Sequence, residues 1–356
     1  INTNLDNIDN LLDGTTAVTG MDLNAPDIDG GTVDGITSLS TSTSGTSNFI
    51  AGVNAGNSIA SGGNYNVLVG DEAGTAITTG DKNTAIGYSS LAATTTGTDN
   101  TALGRNALAA NSTGDRNTAS GNAALGSNTT ADSNTATGYG ALFTNTTGAS
   151  NTAVGDSALT ANTTANNNTA VGNSALGANT TGASNVAVGA NALDANTTAS
   201  NNVGIGLNAA GGTTTGANNI AIGTNSLLTN TTGASNVSIG TYALNANTTA
   251  SNNTAVGHQS LTANTTGAEG VAVGYASLGA NTTGNYGVAV GTYALDANTT
   301  GDNNIAIGRS ALGANTTGDS NTVVGTFALD ANTTADNNTA VGYAALTANT
   351  TGTRNT

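Results

Sequence analysis

The sequence predicts an all-β protein, a parallel β-roll or β-solenoid built from a 17-residue repeat. Three observations predict this fold class: sixteen glycines at constant 17-residue intervals from Gly87 to Gly342, β-branched residues at fixed positions before each glycine, and a low content of large apolar residues. Low complexity is also typical of disordered chains, but a disordered chain has no reason to keep register over about 250 residues. The array is therefore predicted to be folded.

The composition excludes several functional classes. The 356 residues include 21 acidic and 5 basic side chains, one His, no Cys and 3% aromatic residues, with a net charge of −16. These numbers argue against a Cys/His metal centre, a thiol nucleophile and nucleic acid as a partner. No apolar run approaches the ~20 residues that span a bilayer, and no signal peptide opens the chain. We therefore expect a non-enzyme without cofactor or membrane insertion.

Each position of the repeat has its own rule, and we number positions from the anchor glycine as position 0. Position −3 is Thr, Val or Ile in all sixteen units, position −1 is aliphatic in fourteen, and position +4 is Leu in fifteen. β-Branched residues at alternate positions fit an extended strand. The unit is predicted to form a strand of about five residues, a glycine turn, a second short strand and an Asn-Thr-Thr turn.

Stacked coils of this kind lie ~4.8 Å apart, so about eighteen coils would form a rod on the order of 85 Å long. Gly70 extends the array backwards, and Gly52 does so one residue out of register. Gly56 and Gly74 stand where later units have Leu, as expected of atypical end coils.

Glycine and asparagine form the predicted structural ladders. The anchor glycine suits a positive φ or a position too crowded for a side chain. Asn at position −4 occurs in fourteen of sixteen units, and its amide can bond to neighbouring coils. Asn at position +7 is equally frequent, with Thr94 and Thr213 as the exceptions. The ladder residues singled out are Gly87, Gly155, Gly223, Gly291, Asn83, Asn151 and Asn321.

Two rows of small residues predict an oligomer. Position −2 is Ala in thirteen units, and position +3 is only Ala or Ser. Small residues on both faces of a strand indicate close approach on both sides, one by the coil interior and the other by a second copy of the chain. On this interpretation Ala153, Ala170 and Ala187 face a partner. The alternative is a flattened monomeric solenoid whose two sheets both pack on small residues.

The chain is predicted to divide at residue 48. Residues 1–47 form an N-terminal connecting segment, with a short helix around Leu5, Ile8 and Leu12 followed by extended, Asp-Gly-rich turns, and residues 48–356 form the coil array. The chain begins with Ile1 rather than Met, and its last two residues begin another unit. We expect it to be processed or to belong to a longer polypeptide.

The unit NTAVGDSALTANTTGAS, which begins at Asn151 and recurs in near copies elsewhere, resembles the head repeats of trimeric autotransporter adhesins. It is still more similar to the longer repeats of bacteriophage tail fibres. The resemblance covers residues 48–356 and, weakly, the opening segment. It implies a left-handed parallel β-roll, assembly as a parallel homotrimer, and a role in attachment. Adhesin head coils are usually shorter than this unit, and no membrane-anchor β-barrel segment is found here.

Few residues are candidates for chemistry. His258, the only histidine, occupies the freely varying position +1, which predicts exposure and a neutral role. The Asn-Thr-Thr triplets are formal N-glycosylation sequons that the repeated turn explains by itself. The scattered carboxylates lack calcium-loop spacing and leave only incidental cation binding: Asp99, Asp115, Asp132, Asp302, Asp319 and Asp336.

Seven of the eleven aromatic residues fall at positions +1 or +2, where the unit varies most. Exposed rings in a line suit stacking against the sugar rings of a host glycan or receptor, although drift at tolerant positions explains them nearly as well. They are Tyr88, Tyr139, Tyr242, Tyr275, Tyr293, Phe327 and Tyr343.

The leading functional prediction is a structural rod in a phage tail fibre, located in the virion tail and involved in host attachment. The alternative is a bacterial or archaeal cell-surface adhesin or extracellular filament subunit. An ice-binding solenoid ranks below both, because flat Thr-x-Thr ladders are not what repeats in this sequence.

Overall fold

The computed structural model describes residues 44–356, which form eighteen three-residue β-strands and contain no α-helix. The connecting segment predicted for residues 1–47 lies, except for its last four residues, outside this range. The strands are β1 (Phe49–Ala51), β2 (Val67–Val69), β3 (Thr84–Ile86), β4 (Thr101–Leu103), β5 (Thr118–Ser120), β6 (Thr135–Thr137), β7 (Thr152–Val154), β8 (Thr169–Val171), β9 (Val186–Val188), β10 (Val203–Ile205), β11 (Ile220–Ile222), β12 (Val237–Ile239), β13 (Thr254–Val256), β14 (Val271–Val273), β15 (Val288–Val290), β16 (Ile305–Ile307), β17 (Thr322–Val324) and β18 (Thr339–Val341).

Each strand pairs in parallel with the next strand along the chain, which confirms the predicted solenoid. All eighteen strands belong to one sheet. In β7 and β8, Ala153 lies opposite Ala170, so the step between strands equals the sequence repeat. Only the first step differs, because Phe49 lies opposite Val67, one position further along the chain than the repeat predicts. About 17 turns at the spacing of paired strands give a rod of roughly 80 Å.

The prediction of a second short strand after the glycine is wrong. Positions +1 to +6 form turns, and positions +2 and +4 have left-handed backbones, with φ of 57° at Ser157 and 51° at Leu159. An extended strand requires negative φ throughout. The backbone still bonds between coils here: the Leu159 N–H donates to the Ala175 carbonyl at 3.0 Å. Coil-to-coil bonding therefore continues without strand geometry.

Both rows of small residues face the interior of the same coil, which corrects the assignment of the position −2 row to a partner chain. Ala153 at position −2 and Ala158 at position +3 are completely buried, and so is Leu159 at position +4. They belong to one continuous apolar core. Leu occupies most of the space inside each coil, so only small residues fit opposite it. Ala153, Ala170 and Ala187 are thus core residues.

The first two coils fill the same interior with a different set of residues. Gly56 and Gly74 replace Leu at position +4, and a Cβ on Gly74 would lie 2.8 Å from side-chain carbons of Leu68 and Ile77. Leu68 stands at position −2, where later coils have Ala, and both Leu68 and Ile77 are fully buried. The total volume is kept while its distribution changes, which a core tolerates best.

The Val and Ile residues of the strands lie on the outer face of the sheet. Val154 is 37% exposed and Val171 is 36% exposed, while Ala153 in the middle of its strand is buried. Side chains alternate across a strand, so burying position −2 places positions −3 and −1 outside. The strands therefore present a β-branched outer face along the stack.

Candidate functional site

The asparagine at position −4 ties each coil to the one before it. Asn151 is 1% exposed, and its backbone N–H donates to Oδ1 of Asn134 at 2.9 Å. Its Nδ2 donates to the Ala165 carbonyl at 2.8 Å. Asn168 repeats the pattern by donating its N–H to Oδ1 of Asn151 at 2.9 Å. The row satisfies buried polar groups and locks the register of the coils.

The asparagine at position +7 forms a second ladder. Because it is also the first residue of each sequon, this ladder makes the sequons inaccessible to glycosylation. Asn162 is fully buried, and its Nδ2 donates to Oδ1 of Asn145 at 2.8 Å and to the Ala165 carbonyl at 3.1 Å. N-linked glycosylation would attach a sugar to that same nitrogen. A folded coil has no room for the sugar, so a dense glycan coat on these triplets is incompatible with the ladder.

The second ladder is interrupted at Thr213. Oδ1 of Asn196 is buried and has no hydrogen-bond partner, because the following coil supplies Thr in place of the donating amide. On the other side, Nδ2 of Asn230 donates to Oγ1 of Thr213 over 3.4 Å. An unsatisfied buried acceptor costs about 1–3 kcal/mol.

We expect Thr213→Asn to complete this ladder and to raise the free energy of unfolding by about 1–2 kcal/mol. The new Nδ2 would donate to Oδ1 of Asn196, and the new Oδ1 would accept from Asn230. Denaturant unfolding of the two proteins measures the gain. Thr94→Asn is the matched control, since the preceding rung there is the buried Ile77, which offers no acceptor. Equal effects of the two substitutions would contradict the explanation.

The carboxylates before the strands accept hydrogen bonds from backbone N–H groups of the preceding coil. Oδ1 of Asp319 accepts the N–H of Asp302 at 2.8 Å, and Oδ1 of Asp336 accepts the N–H of Asp319 at 2.7 Å. Asp132 does the same for the N–H of Asp115 at 2.8 Å. Within residues 44–356, no three His, Cys, Asp or Glu side chains lie close enough together to hold a metal ion.

The predicted aromatic residues fall into two groups. Tyr88 and Tyr139 are exposed but pair with no other ring in the described part of the chain. The other five lie on successive coils together with two residues that sequence reasoning did not include, His258 and Arg309. We call this set the aromatic strip: Tyr242, His258, Tyr275, Tyr293, Arg309, Phe327 and Tyr343.

Ring contacts run along most of the aromatic strip. His258 stacks on Tyr275, with 5.4 Å between ring centroids and 7° between planes. Tyr242 and Tyr293 meet this pair edge-on, with centroid distances of 6.3 Å to His258 and 5.3 Å to Tyr275. The side chains remain exposed. His258 therefore has aromatic neighbours and is not an isolated side chain.

An open cavity of about 540 Å³ lies beside the C-terminal half of the strip. We call it the slot: Tyr293, Asp296, Ser310, Gly313, Ala314, Phe327 and Asp330. Partial burial raises the pKa of the Asp296 carboxyl above its ordinary value. Asp296 and Asp330 were missed because they stand at position +5, which varies from coil to coil, and only the stacking of coils shows that they flank Gly313.

A second, smaller cavity of about 190 Å³ lies near the N-terminal tyrosines. Tyr139 and Phe143 contribute rings to its lining, with Ala123, Gly140, Ser157 and Thr160 completing it. Its lining contains no carboxylate. The two cavities therefore share aromatic walls but differ in charge.

No protein-family model matches this sequence, and no curated protein matches it significantly. The resemblance to phage-fibre and adhesin-head repeats consequently stays a prediction. In the part of the chain that the structure describes, no helix could cross a membrane.

Proposed function

We propose that this protein is a non-enzymatic structural rod, the shaft of a phage tail fibre involved in host attachment, built from parallel copies of the chain. The observation that carries the proposal is the long outer row of Val, Ile and Leu on the sheet, which only Ser120 and Thr137 interrupt at position −1. Fourteen of the strand side chains at positions −3 and −1 from Ile86 onward are large apolar groups at least 36% exposed.

The size of this face favours burial against another chain. Together with the partly exposed Val and Ile side chains between them, the row amounts to roughly 1,000 Å² of apolar surface, more than the few hundred Å² that single chains normally leave exposed. A long face of this kind on a monomer invites association.

A second copy of this chain is the partner that fits the period. In a parallel copy the same rows recur at the same spacing, so Val154 and Val171 would meet their counterparts coil for coil. Any other partner would need a matching repeat over the whole length. Three copies around one axis is the number that the resemblance implies, and left-handed coils remain part of the same expectation.

Light scattering tests the assembly. We expect the wild-type chain to be a trimer, and the triple variant Val154→Lys, Val171→Lys and Val188→Lys to be a monomer that keeps its β-type circular dichroism, since a lysine row would repel across the interface. The matched control places lysines on the exposed residues Thr164, Thr181 and Thr198, away from the sheet, and should remain a trimer. A wild-type chain that is monomeric in dilute solution contradicts the proposal.

Gene neighbours distinguish the tail fibre from the alternative. Virion structural genes on either side would support a fibre shaft. Secretion and anchor segments in the full-length reading frame would support a cell-surface adhesin or filament subunit. The buried sequon asparagines count against the glycosylated form of the filament.

A further inference from the structure

The slot exists because one coil has small side chains at positions +2 and +5, while the coils on either side of it have large ones. Position +5 is occupied by Asp296, Gly313 and Asp330 in three successive coils, and position +2 is occupied by Tyr293, Ser310 and Phe327. Equivalent atoms two coils apart are separated by roughly 9.6 Å, twice the strand spacing. The middle coil thus forms a floor of small residues, with a ring and a carboxylate on either side.

From this arrangement we propose that the slot binds a sugar ring of a neutral, hydroxyl-rich glycan. The proposal goes beyond the rod, and it requires only the fold of one chain. It can therefore fail while the assembly proposal holds, and the reverse is equally true.

The walls of the slot offer the two kinds of contact that a pyranose needs. Tyr293 and Phe327 present ring surfaces on which the apolar C–H face of a sugar can stack. Asp296 and Asp330 are partly buried carboxylates, and carboxylates are strong acceptors for hydroxyl groups. The described residues contain one ion pair, Arg116 with Asp132, so no salt bridge within that range occupies either slot carboxylate.

The two carboxylates are not equivalent. Oδ1 of Asp330 accepts a hydrogen bond from the Thr347 hydroxyl, while no side chain of the described residues donates to Asp296. Burial raises the pKa of Asp296, because the ionised form loses solvation. A ligand hydroxyl would supply this carboxylate with a donor from outside the chain, so Asp296 is the acceptor expected to matter most.

A neutral ligand fits better than a cationic one. The Arg309 guanidinium already lies over the Phe327 ring, with Cζ 5.2 Å from the ring centroid. A ligand cation would compete with it for that ring and be repelled by it. With the Arg309 guanidinium and the Ser310 hydroxyl as donors and two carboxylates as acceptors around the cavity, the slot matches a molecule whose hydroxyls both donate and accept.

The aromatic strip extends the binding surface beyond the slot. It occupies seven successive coils, or roughly 29 Å at the strand spacing, and the slot lies within it. Further sugar units of the same glycan would run over the exposed rings of Tyr275, His258 and Tyr242. A linear oligosaccharide is therefore expected to bind more tightly than a single monosaccharide.

A panel of neutral hexose oligosaccharides on an array, followed by titration calorimetry with the best-bound member, tests the proposal on the full chain. Gly313→Thr is the central variant, because Thr160 and Thr262 show that the fold accepts Thr at position +5. The added side chain would fill the floor of the slot. We expect at least a tenfold loss of affinity with unchanged thermal unfolding.

Three further variants complete the test. Gly177→Thr makes the same change on a coil outside the strip and should leave affinity unchanged, as should Tyr139→Ala in the carboxylate-free cavity. Asp296→Asn keeps the shape of the side chain, removes its charge, and should weaken binding several-fold. Wild-type protein that binds no member of the panel, or Gly313→Thr protein that binds like wild type, overturns the proposal. Binding of tetramethylammonium in place of the sugars would overturn the ligand class.

Discussion

Gly155→Ala is expected to lower the free energy of unfolding by about 3 kcal/mol or more, from two separate causes. The glycine has a φ of +136°, a conformation that side-chain-bearing residues rarely adopt. A Cβ at this position would also lie 2.6 Å from the carbonyl carbon of Gly172 in the next coil. Each backbone is held by a coil-to-coil hydrogen bond that a shift would weaken: the Gly155 N–H donates to the Thr137 carbonyl, and the Gly172 N–H donates to the Val154 carbonyl.

Gly342→Ala separates the two causes. Gly342 has a similar φ of +124°, but the nearest atom to its added Cβ, the Ala345 Cβ, is 4.0 Å away. This variant should carry only the backbone strain, about 1–3 kcal/mol. Denaturant unfolding of both proteins, with hydrogen exchange to locate the loss, gives the contribution of the close contact by difference. Equal destabilisation by the two substitutions would show that crowding between coils contributes nothing.

The fold class could be predicted because the repeat is written directly in the sequence. The constant step between anchor glycines determines the strand positions, and the register of Ala153 against Ala170 follows from it. The out-of-step Gly52 also predicted that the first coil is one residue longer than the others. Periodicity identifies which residues are stacked on one another, and in a solenoid this is nearly the whole topology.

The direction of the strand faces could not be predicted in the same way. Alternation shows that Ala153 and Val154 lie on opposite faces, but both residues are apolar and either face could be the interior. The deciding quantity is volume: Leu159 already fills the coil, so Ala lies inside and Val outside. The positive φ of 51° at Leu159 could not be predicted either, since Leu disfavours that conformation. The Asn and Gly residues at position +2, such as Asn191, Asn208 and Gly140, were the available signal that this turn contains positive φ.

The candidate site shows a similar division. The line of exposed rings was readable from positions +1 and +2, whereas the slot depends on Asp296, Gly313 and Asp330 being neighbours across coils. These residues are one full repeat apart in sequence and become adjacent only when coils are stacked in register. Stacking also brings Arg309 to Phe327, a contact between two positions that differ in the repeat.

Deleting whole coils should shorten the rod without harming it. Removing residues 168–252, which make up five whole coils, joins the coil of Asn151 to that of Asn253. Oδ1 of Asn151 would then accept the N–H of Asn253 in place of that of Asn168. The position +7 ladder would run from Asn162 to Asn264 without the interruption at Thr213. We expect a soluble rod shorter by roughly 24 Å, with the sugar ring still bound at the slot and only the contact of a long oligosaccharide with Tyr242 lost.

Deletions one residue longer or one residue shorter than this should be less stable, and by different amounts. Removing residues 168–253 leaves a coil one residue too short, a length that occurs nowhere in residues 44–356, and it also removes Asn253, the position −4 ladder asparagine at the junction. Removing residues 168–251 leaves a coil one residue too long, and the first coil shows that the fold can accommodate that length. Stability by denaturant unfolding should therefore be highest for the whole-coil deletion, intermediate for the deletion that leaves the long coil and lowest for the one that leaves the short coil. Because each coil contacts only its neighbours, hydrogen exchange should show the loss at the junction alone. If all three deletions unfold alike, register between coils is not what stabilises the stack.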